Sequence, residues 1–399
     1  MGNLLISCCR SSKQPEAIYS ESATIIPIAR TPKSAFYEAC RGGNTEKVRE
    51  LLLSLSLDEI NRIEPNGSTA LHAACYFKHP EIVKLLLEAG ACRSIRNRLY
   101  QLTPYQEAGS DIRKLFFRVQ LSTSHVFDHR FVGKSGIKEW TIVSKEAEQW
   151  KDNLNKVLVI QQSIPQMFCF LRDHYIIGEF YNTDISLKQK EHILWFFNQA
   201  ILHNDVKYIL KAYTSATKFH SFVNNHFADN ILRLFRWRDI SLRPNTLETC
   251  IEYLASILIY HSDLQEYHFT GTTYRGVLMT QEELSDYAVG KRLLTKTFLS
   301  TSLNPVLASI FAGVGDAQYM RRTIDDQVIQ SSVLCKYTII NENTSLRIDS
   351  MSEFEIEQEV LILPLSAFQV QSVKQHLIGE NVYVQIELVE CSSKVLTIP

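Results

Sequence analysis

No run of this chain approaches the roughly 18 consecutive apolar residues that a membrane-crossing helix needs. The amino terminus lacks a cationic stretch before an apolar segment, and Leu4-Leu5-Ile6 is too short for the core of a signal peptide. An excess of one charge is also missing: 42 Lys+Arg stand against 43 Asp+Glu, a formal net charge of −1. Nothing in the overall field therefore favours a nucleic acid or an anionic membrane as partner. The nine cysteines are scattered, odd in number and without disulfide or zinc spacing, which suits a reducing, cytoplasmic setting and speaks against a metal. With 45% hydrophobic residues over 399 positions, the chain is not disordered and can hold two or three cores.

The first 30 residues read as a flexible tail, with the Ser-rich, small polar composition of a linker up to about residue 30. Met1-Gly2-Asn3 would expose Gly2 once Met1 is removed, and Cys8-Cys9 follow closely, a pattern like N-myristoylation beside palmitoylation. The usual hydroxyl position holds Ile6, with Ser7 one place late. A single myristoyl chain binds membranes only marginally, whereas a second acyl chain holds, so Gly2, Cys8 and Cys9 read together as a lipid anchor on the cytoplasmic face of a membrane. A frayed tail with two incidental thiols is the equal alternative.

From residue 31 to 118 a repeat appears. Ala39-Cys40-Arg41-Gly42 through Leu51-Leu52 aligns with Ala74-Cys75-Tyr76-Phe77 through Leu86-Leu87, 35 positions on, and Thr103-Pro104 repeats Thr69-Ala70 at 34. That period, with Gly67-Ser68-Thr69-Ala70-Leu71-His72-Ala73-Ala74, resembles ankyrin repeats. Small Ala39 and Ala74 let paired helices approach, and Val83, Leu86 and Leu87 form the stripe that stacks on a neighbour. Two repeats are well formed, so the array is expected to lean on Ile112-Leu115-Phe116. His72 reads as a loop brace, since no second ligand lies at zinc spacing. A protein partner on the ankyrin face is implied.

Residues 119–205 connect, with no role legible. Val126-Phe127, Phe131-Val132 and Trp140-Thr141-Ile142-Val143 look like strands, and Ile185 to Leu202 has helical length with Ile193, Phe196, Phe197 and Ile201 on one side. Gly133-Lys134-Ser135 is no phosphate loop, because Asp128 stands where that motif needs its first glycine. Trp195-Phe196-Phe197 reads as core.

The chemistry lies in residues 206–395. Phe219, Phe222, Val223, Phe227, Ile231 and Leu234 fall at helical spacing; Leu247, Ile251, Leu254 and Leu258 follow Pro244, with Asn245 and Glu248 placed like a capping box. Then come Thr273-Tyr274-Arg275-Gly276, Phe298-Leu299-Ser300-Thr301-Ser302, and Phe354-Glu355-Ile356-Glu357-Gln358-Glu359 opening into the apolar run Val360 to Leu363. Singly these are a turn, an ordinary strand and an acidic loop. In this order they resemble the Arg-Ser-Glu class of mono-ADP-ribosyltransferases, arginine-specific type, over about residues 205 to 395. The run after Glu359 reads as a buried strand; if its geometry extends back to Glu357, both carboxylates share one face.

The resemblance implies an α+β fold of two small, steeply crossed sheets with flanking helices, preceded by a separate α-helical ankyrin layer. It implies NAD as co-substrate and protein substrates with accessible arginines, without a metal. Glu359 would hold the ribose hydroxyl and face the positive charge that develops as nicotinamide leaves. Arg275 would clamp the pyrophosphate with its planar fork, Ser300 would orient Glu359, and Gly276 would let backbone approach the nicotinamide. Glu357 would pair with the acceptor guanidinium, and Phe354 matches the aromatic of the family's target-recognition turn. Asn304-Pro305 reads as the cap and first turn of a helix ending near Gly313, carrying Phe311 to the donor pocket or into the core. NAD hydrolysis, or a non-catalytic ankyrin interaction protein, are the alternative functions.

Overall fold

A computed structural model describes residues 32–117, 139–142, 163–234, 246–313, 330–378 and 381–392. Gly2, Cys8, Cys9, Asn245 and the expected strands at 126–127 and 131–132 lie outside them.

Ankyrin units open the chain. Helices Ala35–Arg41 and Thr45–Leu52 form the first pair, and Ala70–Tyr76 and Pro80–Ala89 the second. A shortened third unit runs through Pro104–Glu107, Ser110–Arg113 and the 3₁₀ turn Lys114–Phe116. Each start has its own chemical signal. Ser34 and Asn44 oxygens accept from the third backbone N–H, and Thr69 and Thr103 build capping boxes with His72 and Gln106. Gly90, at φ 92°, closes the long helix in the left-handed conformation that glycine adopts without strain. Ala74, Val83, Leu86 and Leu87 fill the array's core, and Ile112 and Phe116 close it at the far end, where the truncated repeat was expected to lean.

His72 behaves as a brace. Its Nδ1 meets Thr69 at both the hydroxyl (2.8 Å) and the backbone N–H, and its Nε2 meets Leu102 O at 3.0 Å. Burial pushes its pKa down to about 4, against the raising effect of the Leu102 bond. The ring is therefore neutral at pH 7.

A helical layer follows: Ile164–Phe170, the π-helical turn Leu171–Ile177, Leu187–His203, Lys207–Thr214, Phe219–Leu234 and Thr246–Tyr260. One hydrophobic cluster joins Phe168, Phe196, Phe197, Phe219, Phe227 and Leu254. Its members come from helices on both sides of residue 205.

Nine strands complete the fold: β1 Trp140–Ile142, β2 Gly271–Thr280, β3 Arg292–Thr295, β4 Leu299–Ser302, β5 Gln330–Ile339, β6 Ser345–Arg347, β7 Glu359–Ile362, β8 Ala367–Ile378 and β9 Asn381–Glu390. Their order is β1-β3-β8-β9-β5-β2-β4-β7-β6. The β5–β9 pair is parallel and the others are antiparallel. The expected two sheets correspond to two strand groups joined at one residue pair, Tyr274↔Ser302. The short strand β7 is buried on both sides: Leu361 enters the helical cluster, while Val360 and Ile362 enter the second core with Val277, Val333 and Ile386. A strand sandwiched in this way favours apolar side chains on both faces, which explains the unalternated run that follows Glu359.

Candidate active site

Strands β2, β4 and β7 are neighbours, and they carry the three motifs. Arg275 lies in β2 opposite Cys335 of β5. In β4, Ser300 lies opposite Leu361 and Ser302 opposite Glu359, so Ser300, Ser302 and Glu359 point to one face. The three strands are stitched below the site. Thr273 Oγ1 donates to Thr301 Oγ1 (2.7 Å), which donates to Val360 O (2.6 Å).

Glu357 is not in the strand. It ends the 3₁₀ turn Glu355–Glu357, and Gln358, at φ 46°, reverses the chain before β7 begins at Glu359. The condition for strand alternation to align the two carboxylates is therefore unmet. The turn is pinned instead: Ser302 Oγ donates to Glu357 O (2.7 Å), Leu303 N to Gln358 O (3.1 Å) and Ile348 N to Glu359 O (2.9 Å). Both carboxylates are withdrawn from solvent, Glu357 at 3% exposure and Glu359 at 0%. Among the described residues Ser300 Oγ has no hydrogen-bond partner, whereas Ser302 Oγ binds the carbonyl of Glu357.

Arg275 is 2% exposed and already engaged. Its Nη1 donates to Ser300 O at 3.0 Å, and its Nη2 pairs with Glu139 Oε1 at 2.8 Å. Burial works against the guanidinium's charge, and Glu139, followed by Tyr337 and Tyr213, more than offsets it, so its pKa lies above the ordinary value. Glu139 is delivered by β1. Trp140 stacks parallel to Tyr337 (6.3 Å) and edge-on to Phe368 (6.2 Å), while Lys296 N binds Glu139 O at 2.7 Å. Sequence reasoning missed Glu139, whose partner is 136 residues away.

The helix Pro305–Phe311 starts as read, with Asn304 accepting from Val306 N and Leu307 N. It packs on β2 so closely that a methyl at Gly276 would overlap the Ala308 carbonyl and come within 2.6 Å of Ala312 N. The glycine serves helix–strand approach in this structure. Phe311 is buried. Phe354 is 2% exposed, with the Arg93 guanidinium 4.3 Å above its ring, so the aromatic of the turn is covered by the ankyrin array. Among the described residues no cluster of His, Cys, Asp and Glu could hold a metal ion, and no helix is long and apolar enough to cross a membrane.

A family model described as ankyrin repeats, in three copies, matches residues 12–97. Notch-regulated ankyrin repeat-containing protein A of Danio rerio is 36% identical over 75 residues, 18% of this chain and 67% of that protein. The chain belongs to the ankyrin-repeat proteins. NAD-capped RNA hydrolase NUDT12 of Pongo abelii is 31% identical over 140 residues, 34% of this chain, and the chain spans only 28% of its length.

Among solved structures, this ankyrin-repeat chain is similar to the type III effector XopAI from Xanthomonas axonopodis pv. citri. The TM-score is 0.37 at 17% identity, covering 62% of this chain and 97% of that one. It is also similar to the ADP-ribosyltransferase Vis in complex with agmatine, at TM-score 0.32 and 16% identity, covering 60% and 90%. ADP-ribosyltransferase HopU1 of Pseudomonas syringae pv. Tomato DC3000 gives TM-score 0.31 at 12% identity, covering 63% and 99%. Likenesses of this size are loose, and the chemistry rests on the residues of the site itself.

Proposed function

We propose that this protein transfers ADP-ribose from NAD to arginine side chains of other proteins, releasing nicotinamide. The observation that carries the reading is convergence. Arg275, Ser300 and the Glu357/Glu359 pair come from three separated motifs, yet they are assembled on the adjacent strands β2, β4 and β7 and the turn that feeds β7. Four polar side chains on these adjacent strands and the turn are withdrawn from water, which is costly. They suit a site that must meet charge without solvent.

The residues present fit NAD. The Glu139 carboxylate paired with Arg275 supports a role for the guanidinium in receiving an anionic oxygen, which a donor phosphate would supply in its stead. Ser300 Oγ, buried and without a hydrogen bond, has capacity for a donor hydroxyl or for Glu359. Bound NAD supplies an electrophilic ribose carbon with nicotinamide as leaving group. Glu359, anchored by β7, holds the ribose hydroxyl and stabilises the positive charge that develops there. Glu357 pairs with the incoming guanidinium and accepts its proton as the new C–N bond forms and the bond to nicotinamide breaks.

Hydrolysis of NAD by water is the second reading, and one observation favours it: Phe354 and Glu357 are covered in this structure, whereas water needs no access to the turn. The test is incubation of the full chain with adenylate-labelled NAD, a cell lysate and a small guanidino acceptor, followed by mapping of modified residues. Label on arginines and on the guanidino compound is expected. Free ADP-ribose alone would support hydrolysis, and label on other side chains would contradict the arginine assignment.

A further inference from the structure

The turn from Met351 to Gln358 is held from two sides. One side is the sheet, through Ser302 and Leu303, as described above. The other is the ankyrin array. Glu353, buried, accepts from Cys92 Sγ (3.1 Å), Arg93 N (3.0 Å) and Ser94 Oγ (2.5 Å). Glu355 accepts from Thr103 Oγ1 (2.8 Å) and from Gln106 Nε2. Between these two carboxylates, Phe354 carries the Arg93 guanidinium on its ring. Three consecutive residues of the turn are thus each bound by the segment that leads from the second ankyrin unit into the first helix of the third. Glu353 N in turn donates to Thr214 Oγ1 (3.0 Å), tying the same point to the helical layer.

A buried carboxylate needs its full complement of donors, because losing one leaves charge unsatisfied in a dry place. Burial, and then Glu353 itself, pushes the Cys92 thiol up to about 12, so the thiol keeps its proton and remains a donor. The array is also bolted down at a second place, where Trp195 Nε1 (2.7 Å) and Gln199 Nε2 (3.1 Å) donate to Asp58. Such a contact set holds a fixed geometry more readily than it forms a latch that opens and closes.

We infer that the ankyrin array is a positioning element of the active site, with Glu353 as the residue through which Cys92, Arg93 and Ser94 fix the turn that carries Glu357. Glu359 stands apart from this device, because its strand is fixed by pairing with β4 and β6. The ankyrin contacts therefore govern the acceptor carboxylate and leave the donor carboxylate in place. The inference rests on the proposed function only for its transfer readout.

The variants are Ser94→Ala with Arg93→Ala, and separately Glu353→Gln, which keeps the size of the side chain while weakening its hydrogen bonds. All are made in the full chain. Two measurements are taken on each preparation. Arginine transfer to a small guanidino acceptor is read beside nicotinamide release without acceptor. Transfer is expected to fall about 10-fold relative to hydrolysis, mainly through a higher acceptor KM, while the KM for NAD stays within a few-fold. Amide hydrogen exchange gives the second readout, independent of acceptor chemistry: residues 351–358 should lose protection while 360–362 keep theirs. A parallel loss of transfer and hydrolysis would mark the contacts as merely structural and overturn the inference, as would unchanged protection of 351–358. If the unaltered chain modifies no guanidino compound, the arginine reading fails, and the exchange measurement alone decides the positioning role. Thr103→Val, a smaller change on Glu355, should give the same pattern more weakly, and equal protection at 351–358 in that variant and in Glu353→Gln would count against Glu353 as the anchor.

Discussion

Glu139→Gln should weaken the protein yet strengthen its grip on NAD. The carboxylate sits 2.8 Å from Arg275 Nη2, with the arginine 2% exposed and the glutamate 16%. Breaking a fully buried pair costs about 3–5 kcal/mol, and partial solvent contact at Glu139 lowers that to roughly 2 kcal/mol. For a unit of this size the loss corresponds to a fall in Tm of about 4–8 °C. The same carboxylate competes with a donor phosphate for one guanidinium. Removing a charge-assisted competitor worth about 1.5 kcal/mol should lower the Kd for NAD about tenfold. The assay is thermal melting of both proteins across an NAD titration, with calorimetry for the Kd. NAD at about 30 times the variant's Kd adds about 2 kcal/mol and should restore its lost stability, whereas the same concentration, about 3 times the Kd of the unaltered protein, adds only about 0.8 kcal/mol there. Equal or weaker NAD binding by the variant would refute the argument and leave Arg275–Glu139 as a structural pair.

Gly276→Ala should destabilise the C-terminal half by about 3 kcal/mol or displace the helix Pro305–Phe311, because the added methyl meets helix backbone, which cannot move aside as a side chain would; chemical denaturation checks it, and a loss under 0.5 kcal/mol would deny the close approach. Acid should unfold the chain early. Burial holds His72 and His192 at about 4, below their ordinary value, so the unfolded state binds more protons between about pH 6.5 and 4, and the stability present above pH 6.5 is lost as pH falls through that window. Melting curves from pH 7 to 4 should show this loss, with a shallower slope in His72→Gln; an identical slope would exclude His72 as a contributor.

Local signals were legible wherever one stretch of chain settles its own structure. The 35-residue repeat, the Asn304-Pro305 cap and the apolar run Val360 to Leu363 each specify an element without help from distant residues. Legibility ended where the determinant is a distant contact. Glu139 looks like any acid before a short strand, and distant contacts bring it to Arg275: the packing of Trp140 on Tyr337 and Phe368, and the Lys296 N–H on its carbonyl. The alternation argument for Glu357 and Glu359 failed because Gln358 takes a left-handed turn that period-2 reasoning cannot anticipate. Phe354 was read as the aromatic of a target-recognition turn, and its burial was not legible because the array that covers it is some 260 positions away in the chain, as the Arg93–Glu353 bond records.

The central claim is a division of labour between two neighbouring carboxylates, and one paired assay tests it most directly. Modified arginine and free nicotinamide are read side by side for the unaltered chain, Glu357→Gln and Glu359→Gln. An amide keeps the shape of the carboxylate and removes its charge, so Glu359→Gln should lose about 10²- to 10³-fold in both activities. Glu357→Gln should lose arginine transfer and keep most NAD hydrolysis, with donor affinity unchanged because Arg275 is untouched. Activity of Glu359→Gln within a few-fold of the unaltered chain would contradict the account, and so would a proportional fall of both activities in Glu357→Gln.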